Sequence, residues 1–146
     1  MKKSIVSLVA VAAMTVSLSA TDYRAEKPAA WTAKTVQTAI EGLYGKITPV
    51  ESGDIKLKAP KVASNGGQIP VSVKTDIPAK TVAIFQDVNP ESAVAIFEVP
   101  EGTKAEFSLK IKMKKSGSII AVVEGKDGKF YTTKLSLEVA LGGCEG

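Results

Sequence analysis

The chain has one cysteine, Cys144, set in Gly142-Gly143-Cys144-Glu145-Gly146. The thiol is the only soft nucleophile in the sequence, and it stands among residues with almost no side-chain bulk. Glycine carries no Cβ and resists a fixed conformation. Five residues extend to at most about 17 Å. Such a segment suits a slender swinging arm that carries a covalent adduct into a narrow site on another protein. The thiolate is the reactive form of cysteine, and nothing local favours it: there is no histidine, and Glu145 and the terminal carboxylate both oppose a second negative charge. Activation therefore falls to a partner's site. The alternative is a frayed tail with an incidental cysteine, since glycine-rich ends are common.

The same counts exclude other chemistry. One cysteine cannot form an internal disulfide. With no histidine and no second cysteine, a cysteine–histidine protease pair within the chain and the common zinc sites are ruled out. A thiol peroxidase or oxidoreductase is a further alternative: it would need an activating basic group or a second cysteine, the chain has neither a histidine nor a resolving thiol, and turnover by the isolated protein would favour it.

The elements that must position Cys144 follow from hydrophobic period. Val36, Ala39, Ile40 and Leu43 recur at helical spacing, with Pro28 near the start, Trp31 and Tyr44 near the ends and Gly45 as a stop. This predicts one helix over 29–44, after a linker from Thr21 to Lys27. Beyond Gly45 the period becomes two. Ile55, Leu57 and Ala59 alternate with lysines, as do Phe107, Leu109, Ile111 and Met113 with Ser108, Lys110, Lys112 and Lys114. Leu135, Leu137, Val139 and Leu141 alternate with Ser136, Glu138 and Ala140, which turns Leu141 inward. Val71 and Val73, Val82 to Phe85, Val94 to Phe97 and Ile119 to Val123 add short apolar segments. Asn65-Gly66-Gly67, Asn89-Pro90, Glu101-Gly102 and Asp127-Gly128 supply turns. About seven short strands bounded by turns predict an all-β fold, an immunoglobulin-like β-sandwich with a short N-terminal helix and a flexible C-terminal arm. Each sheet is expected to have one buried and one wet face.

The opening residues read as a secretory signal: Lys2 and Lys3, then an apolar Ile5 to Val16, then small residues ending at Ala20. The apolar run is shorter than the roughly 20 residues of a membrane span, and polar Thr21-Asp22-Tyr23-Arg24 follows, which disfavours a buried helix. The expectation is export to the periplasm with no membrane anchor in the mature form. The organisation is then 1–20 signal peptide, 21–46 linker and helix, 47–141 sandwich and 142–146 carrier arm. The 19 basic and 15 acidic residues of the whole chain become 17 and 15 without Lys2 and Lys3, too even a balance to indicate nucleic acid. An unpaired thiol in an oxidising compartment is unusual, which favours a function for Cys144.

With these residues in place, the tail resembles the Gly-Gly-Cys-Gly-Gly terminus of the SoxY family, the sulfur carriers of periplasmic thiosulfate oxidation. Upstream, Ile55-Lys56-Leu57-Lys58-Ala59-Pro60 and Asn65-Gly66-Gly67-Gln68-Ile69-Pro70-Val71 are similar to that family's alternating strand, Ala-Pro step and Asn-Gly turn. Asn89-Pro90, Asp127-Gly128-Lys129 and the closing strand also fall where the family has them, and the resemblance spans roughly Ile40 to Gly146. It implies a heterodimer with a SoxZ-like β-sandwich subunit and covalent attachment of substrate to Cys144. It also implies transient visits to a c-type cytochrome complex that loads thiosulfate, a dimanganese hydrolase that releases sulfate and a molybdenum–haem sulfane dehydrogenase. The carrier would have no turnover and no cofactor of its own. Gly142, Gly143, Glu145 and Gly146 would form the arm, with Glu145 departing from the family's glycine and adding charge and bulk.

A different class of function, an exported structural or adhesive β-sandwich with an inert tail, predicts unchanged activity when Cys144 is replaced by serine. Lys104, Lys110, Lys112, Lys114 and Lys115 form the sharpest charge cluster. They read either as a wet, aggregation-resistant face or as a docking patch for acidic partners or a guide for thiosulfate. Val94 to Phe97 reads either as a core strand or as part of a partner interface.

Overall fold

The computed structural model describes residues 20–140. All of the signal segment except Ala20, the orientation of Leu141 and the arm 142–146 lie outside the described residues. Three helices, α1 (Tyr23–Glu26), α2 (Pro28–Thr32) and α3 (Val36–Tyr44), precede nine strands. These are β1 (Val50–Glu51), β2 (Ile55–Lys58), β3 (Val62–Ala63), β4 (Ile69–Thr75), β5 (Ala79–Gln86), β6 (Ala93–Glu98), β7 (Ala105–Ile111), β8 (Gly117–Gly125) and β9 (Phe130–Val139). The larger sheet has the order β1-β9-β8-β5-β6, with β3 also paired to β9; the smaller has the order β2-β4-β7. The two sheets pack face to face as the expected immunoglobulin-like sandwich. The seven longer strands fall on the alternating and the continuously apolar segments marked in the sequence.

The N-terminal region corrects the sequence reading twice. The linker expected over Thr21 to Lys27 contains α1, which Asp22 caps by accepting from the amides of Arg24 and Ala25. The single helix expected over 29–44 is two. Ala33 is extended, and Thr35 starts α3 with a reciprocal cap: its hydroxyl accepts from the Thr38 amide at 3.2 Å, and the Thr38 hydroxyl accepts from the Thr35 amide at 3.3 Å. Side-chain caps satisfy amides that would otherwise need a preceding turn of helix, so they begin a helix rather than continue one.

The helices also correct the expectation of a wet outer face on each sheet. They cover the larger sheet, where Ala30, Ala39 and Leu43 pack with Ala83, Phe85 and Val122. On the sheet's other side Val82, Ile84, Ile119, Ala121 and Val123 meet Ile69, Val71, Val73 and Ile111 of the smaller sheet and its flank. β5 is therefore apolar on both faces, and every residue of it except Lys80 is buried. This is why Val82 to Phe85 and Ile119 to Val123 are continuous runs: strands covered on both sides lose the alternation that a wet face imposes. The smaller sheet keeps a solvated face, seen in the alternating burial of β4 and β7; in the larger sheet the C-terminal half of β9 does the same, with Lys134, Ser136 and Glu138 exposed.

Two details of the helical layer are diagnostic. Gly42 lets α3 meet the backbone of α2; a Cβ there would lie 2.6 Å from Ala30 N and 2.8 Å from Ala30 Cα. Tyr44 is stacked at a tilt against Phe130, with ring centroids 5.0 Å apart. Its hydroxyl is 2.7 Å from Thr81 Oγ1, which donates to Glu124 Oε1 at 3.1 Å. Burial pushes the Tyr44 pKa well above the ordinary phenol value, because the phenolate would be desolvated in this layer.

Gly42→Ala should lose stability even though alanine favours an isolated helix by about 1 kcal/mol. The obstacle is backbone and cannot rotate away, so a net loss of about 1–3 kcal/mol is expected from denaturant unfolding; a variant as stable as the parent would contradict this packing. Tyr44 also links stability to alkaline pH. Its folded pKa is raised, so its contribution is complete below the unfolded value of about 10 and is lost as pH rises beyond it. Stability measured between about pH 9 and 11 should fall less steeply in Tyr44→Phe than in the parent. Tyr23, raised by burial, and Tyr131, raised by its bond to Asp127, keep part of the dependence.

Candidate functional site

The five residues assigned to the arm, Gly142, Gly143, Cys144, Glu145 and Gly146, lie outside the described residues. The structure shows what holds the chain immediately before them. β9 pairs with β8 on one edge. On its other edge it pairs in parallel with two short strands in succession, β1 through Val50↔Tyr131 and β3 through Val62↔Glu138 and Ala63↔Val139. Backbone bonds from Glu138 N to Lys61 O and from Ala140 N to Ala63 O, both 2.9 Å, keep the strand paired to its last described residue. On the opposite side β8 stops at Gly117, and the Ser116 hydroxyl continues the ladder by accepting from the Val139 amide at 2.8 Å. Val139 is thus held from both sides and Ala140 from the β3 side, and whatever follows starts from a fixed point.

Three turns meet around that point. The β7–β8 connection is held when Met113 N donates to Gly66 O at 2.9 Å, which ties it to the Asn65-Gly66-Gly67 turn. Asn89 ties it to the β5–β6 connection: its Nδ2 donates to Lys112 O at 2.7 Å, and its Oδ1 accepts from Lys114 N at 3.0 Å. Gln86, fully buried, braces Asn89 in turn. Its Oε1 accepts from the amides of Val88 and Asn89 at 2.8 and 2.7 Å, and its Nε2 donates to Glu91 O at 2.7 Å. The motifs Asn65-Gly66-Gly67 and Asn89-Pro90 are far apart in sequence, yet both brace the base of the arm. Gln86 drew no attention in the sequence. A buried amide beside a turn is a recognisable signal only once its burial is known.

The lysine cluster separates. Lys104 pairs with Asp76 at 2.9 Å, at the end of the smaller sheet away from the arm. Lys110 lies on the exposed face of β7, and Lys112, Lys114 and Lys115 lie exposed on the β7–β8 connection that borders the base. Three lysines not previously grouped with them join Lys110 on one sheet face. The register sets Lys56 opposite Lys74, Lys58 opposite Ser72, Ser72 opposite Ser108 and Pro70 opposite Lys110. The Ile55-Lys56-Leu57-Lys58 alternation carried that signal, but not the pairing that assembles it. Val94 to Phe97 form most of β6, an edge strand of the larger sheet, and are half-buried. Phe97 stacks on Phe107 with centroids 4.4 Å apart, closing that side of the sandwich.

An immunoglobulin-like sandwich with a helical layer on one sheet, ending in a firmly held strand that leads to a single cysteine, defines the class of protein. The family model for sulfur oxidation protein SoxY matches residues 40–144, and the chain belongs to that family. Among solved structures, the sulfur carrier protein SoxY from Chlorobium limicola f thiosulfatophilum is similar at 35% identity and a TM-score of 0.67, over 73% of this chain and 97% of that one. A superoxide reductase (neelaredoxin) from Ignicoccus hospitalis is similar at 16% identity and a TM-score of 0.52, over 59% of this chain and 79% of that one. At that identity the likeness concerns the fold alone. Comparison with curated protein sequences finds no match.

Asn89→Ala removes a donor to Lys112 O and an acceptor from Lys114 N without changing the core. Its expected cost is about 1–3 kcal/mol of stability, with faster amide hydrogen exchange at Lys114. Unchanged exchange there would show that the connection holds its shape without Asn89.

Proposed function

We propose that this chain is a covalent carrier of sulfur-oxidation intermediates, that Cys144 is the attachment point, and that it works in the periplasm after export. The observation that carries the reading is the family match, which runs along the sandwich and ends on the chain's one cysteine. The fixed base at Val139 and Ala140 supports it, since a rigid origin limits where a short arm can deliver its cargo. Three glycines among the last five residues keep the segment slim.

In the loading step the Cys144 thiol loses its proton and joins the outer sulfur of thiosulfate, forming an S–S bond. Two electrons would leave, one at a time, to a c-type cytochrome complex. The product is a cysteine S-thiosulfonate. In the next step water attacks the terminal sulfur; the S–S bond to the sulfonate group breaks, sulfate and a proton leave, and a persulfide stays on Cys144. A sulfane dehydrogenase would then oxidise that sulfur. Each catalyst belongs to a visiting enzyme, and this chain supplies the tether. A SoxZ-like β-sandwich would complete the carrier as a heterodimer. Glu145 places a carboxylate beside anionic adducts, a small cost in water that a basic residue in a visiting site would offset.

Intact-mass analysis after incubation with thiosulfate and the loading cytochrome complex tests the reading. The parent should gain the mass of one thiosulfate, reversible by thiol reductant, and Cys144→Ser should gain none. A parent that stays unmodified, or a serine variant that is still loaded, would sink the assignment of Cys144.

A further inference from the structure

We infer that the solvated face of the smaller sheet, together with the lysines around the base of the arm, is a docking surface for an acidic rim on the enzymes the arm visits. The inference rests on the carrier reading for the identity of the partner, and on the following features for the surface. Lys56, Lys58, Lys74 and Lys110 share one face of β2-β4-β7 with a single acidic residue, Glu106, which pairs with Lys74 at 3.7 Å. A groove of about 470 Å³ opens on this face, with Lys58 and Lys110 at its sides and Pro70, Ser72 and Ser108 along its floor. Lys58 ends β2, and four residues later Val62 is paired to Glu138 of β9, so the groove ends within about 19 Å of β9 beside the base of the arm. There Lys61, Lys112, Lys114 and Lys115 are exposed, against the exposed acids Glu138 on β9 and Asp87 and Glu91 on the β5–β6 connection. Val62, next to Lys61 and opposite Glu138, is 57% exposed. Among the described residues no ion pair holds Lys56, Lys58, Lys61, Lys110, Lys112, Lys114 or Lys115.

The charge is graded along the sheet. The acids Asp54 and Asp76 lie at the end away from the arm, where Asp76 neutralises Lys104. The uncompensated lysines gather toward the arm. Folding does not require this arrangement. Lys56 directly opposite Lys74 is a like-charged cross-strand pair, which weakens a sheet. Protection of sheet edges explains lysines on β2 and β7, and Lys74 on the central strand is matched by Glu106 directly opposite it; neither accounts for Lys61, Lys114 and Lys115 beyond the sheet. A cationic face beside the tether fits a partner whose cleft is bordered by carboxylates. Attraction over this face would orient the encounter so that the arm arrives at the cleft.

The test uses the full mature chain with the thiosulfate-loading cytochrome complex of the same organism as probe, and reads association rates by stopped-flow. Lys58→Glu/Lys110→Glu should slow association about tenfold at low salt. Near 1 M salt, where screening acts within about 3 Å, the difference should vanish. Lys27→Glu/Lys46→Glu, an equal charge change on exposed residues beside the helices, should slow it less than twofold. An equal loss in both pairs would reduce the effect to net charge and overturn the docking surface, as would an unchanged rate in the first pair. Cys144→Ser separates this from the carrier reading. It should associate at the parental rate while taking no thiosulfate. Loading of the parent with no effect of Lys58→Glu/Lys110→Glu removes the surface and leaves the carrier; association without loading does the reverse. A greater effect on binding of free thiosulfate or of anionic lipid vesicles than on the cytochrome complex would also overturn the assignment to a protein partner.

Discussion

The fold depends on the burial of β5 and β8 from both sides. Val82, Ile84, Ala121 and Val123 face the smaller sheet, while Ala83, Phe85 and Val122 face the helices. Burial of large apolar side chains stabilises by about 1.5–3 kcal/mol each, and both strands present such side chains to the layers on either side. The helices are short, and short helices are marginal alone in water. They exist because the larger sheet offers them an apolar face, and the sheet tolerates that face because the helices cover it. The close approach at Gly42 and the Tyr44–Thr81–Glu124 chain fix how this layer sits.

With the sandwich made rigid in this way, its far end can serve as an anchor. The last described residues of β9 are held by backbone pairing to β3 and by the Ser116 hydroxyl. The surrounding turns are cross-tied through Gln86, Asn89 and Gly66. All but one of these bonds use a backbone group on each side or a buried or half-buried amide, so each satisfies a polar group that the fold would otherwise leave unpaired. For the carrier role proposed above this would matter more than a pocket: the chemistry would be done elsewhere, and this chain would set where the tether begins and what approaches it. The lysines that collect at the same end extend that logic from geometry to electrostatics.

Much of the fold was legible in the sequence. The seven longer strands followed from the switch of period after Gly45, and the sandwich followed from their number and spacing. The helical region was less legible. Ala33 and Thr35 do not interrupt the apolar spacing that joined residues 29–44, and the break rests on a cap formed by two threonine side chains. The buried outer face of the larger sheet was also missed, although the unbroken runs at Val82 to Phe85 and Ile119 to Val123 carried the signal; a run alone does not say what covers it.

The sequence by itself determined the strand pattern, the single thiol and the glycines beside it, because composition and local period need no partner to be expressed. The tertiary structure alone decided that Asn65-Gly66-Gly67, Asn89 and Ser116 converge on the end of β9, and that Lys56, Lys58, Lys74 and Lys110 share one face while Lys104 is drawn off to Asp76. The physical reason is that cross-strand register and turn packing join residues tens of positions apart. Those pairings are set by which faces are buried, a property of the assembled layers rather than of any one segment.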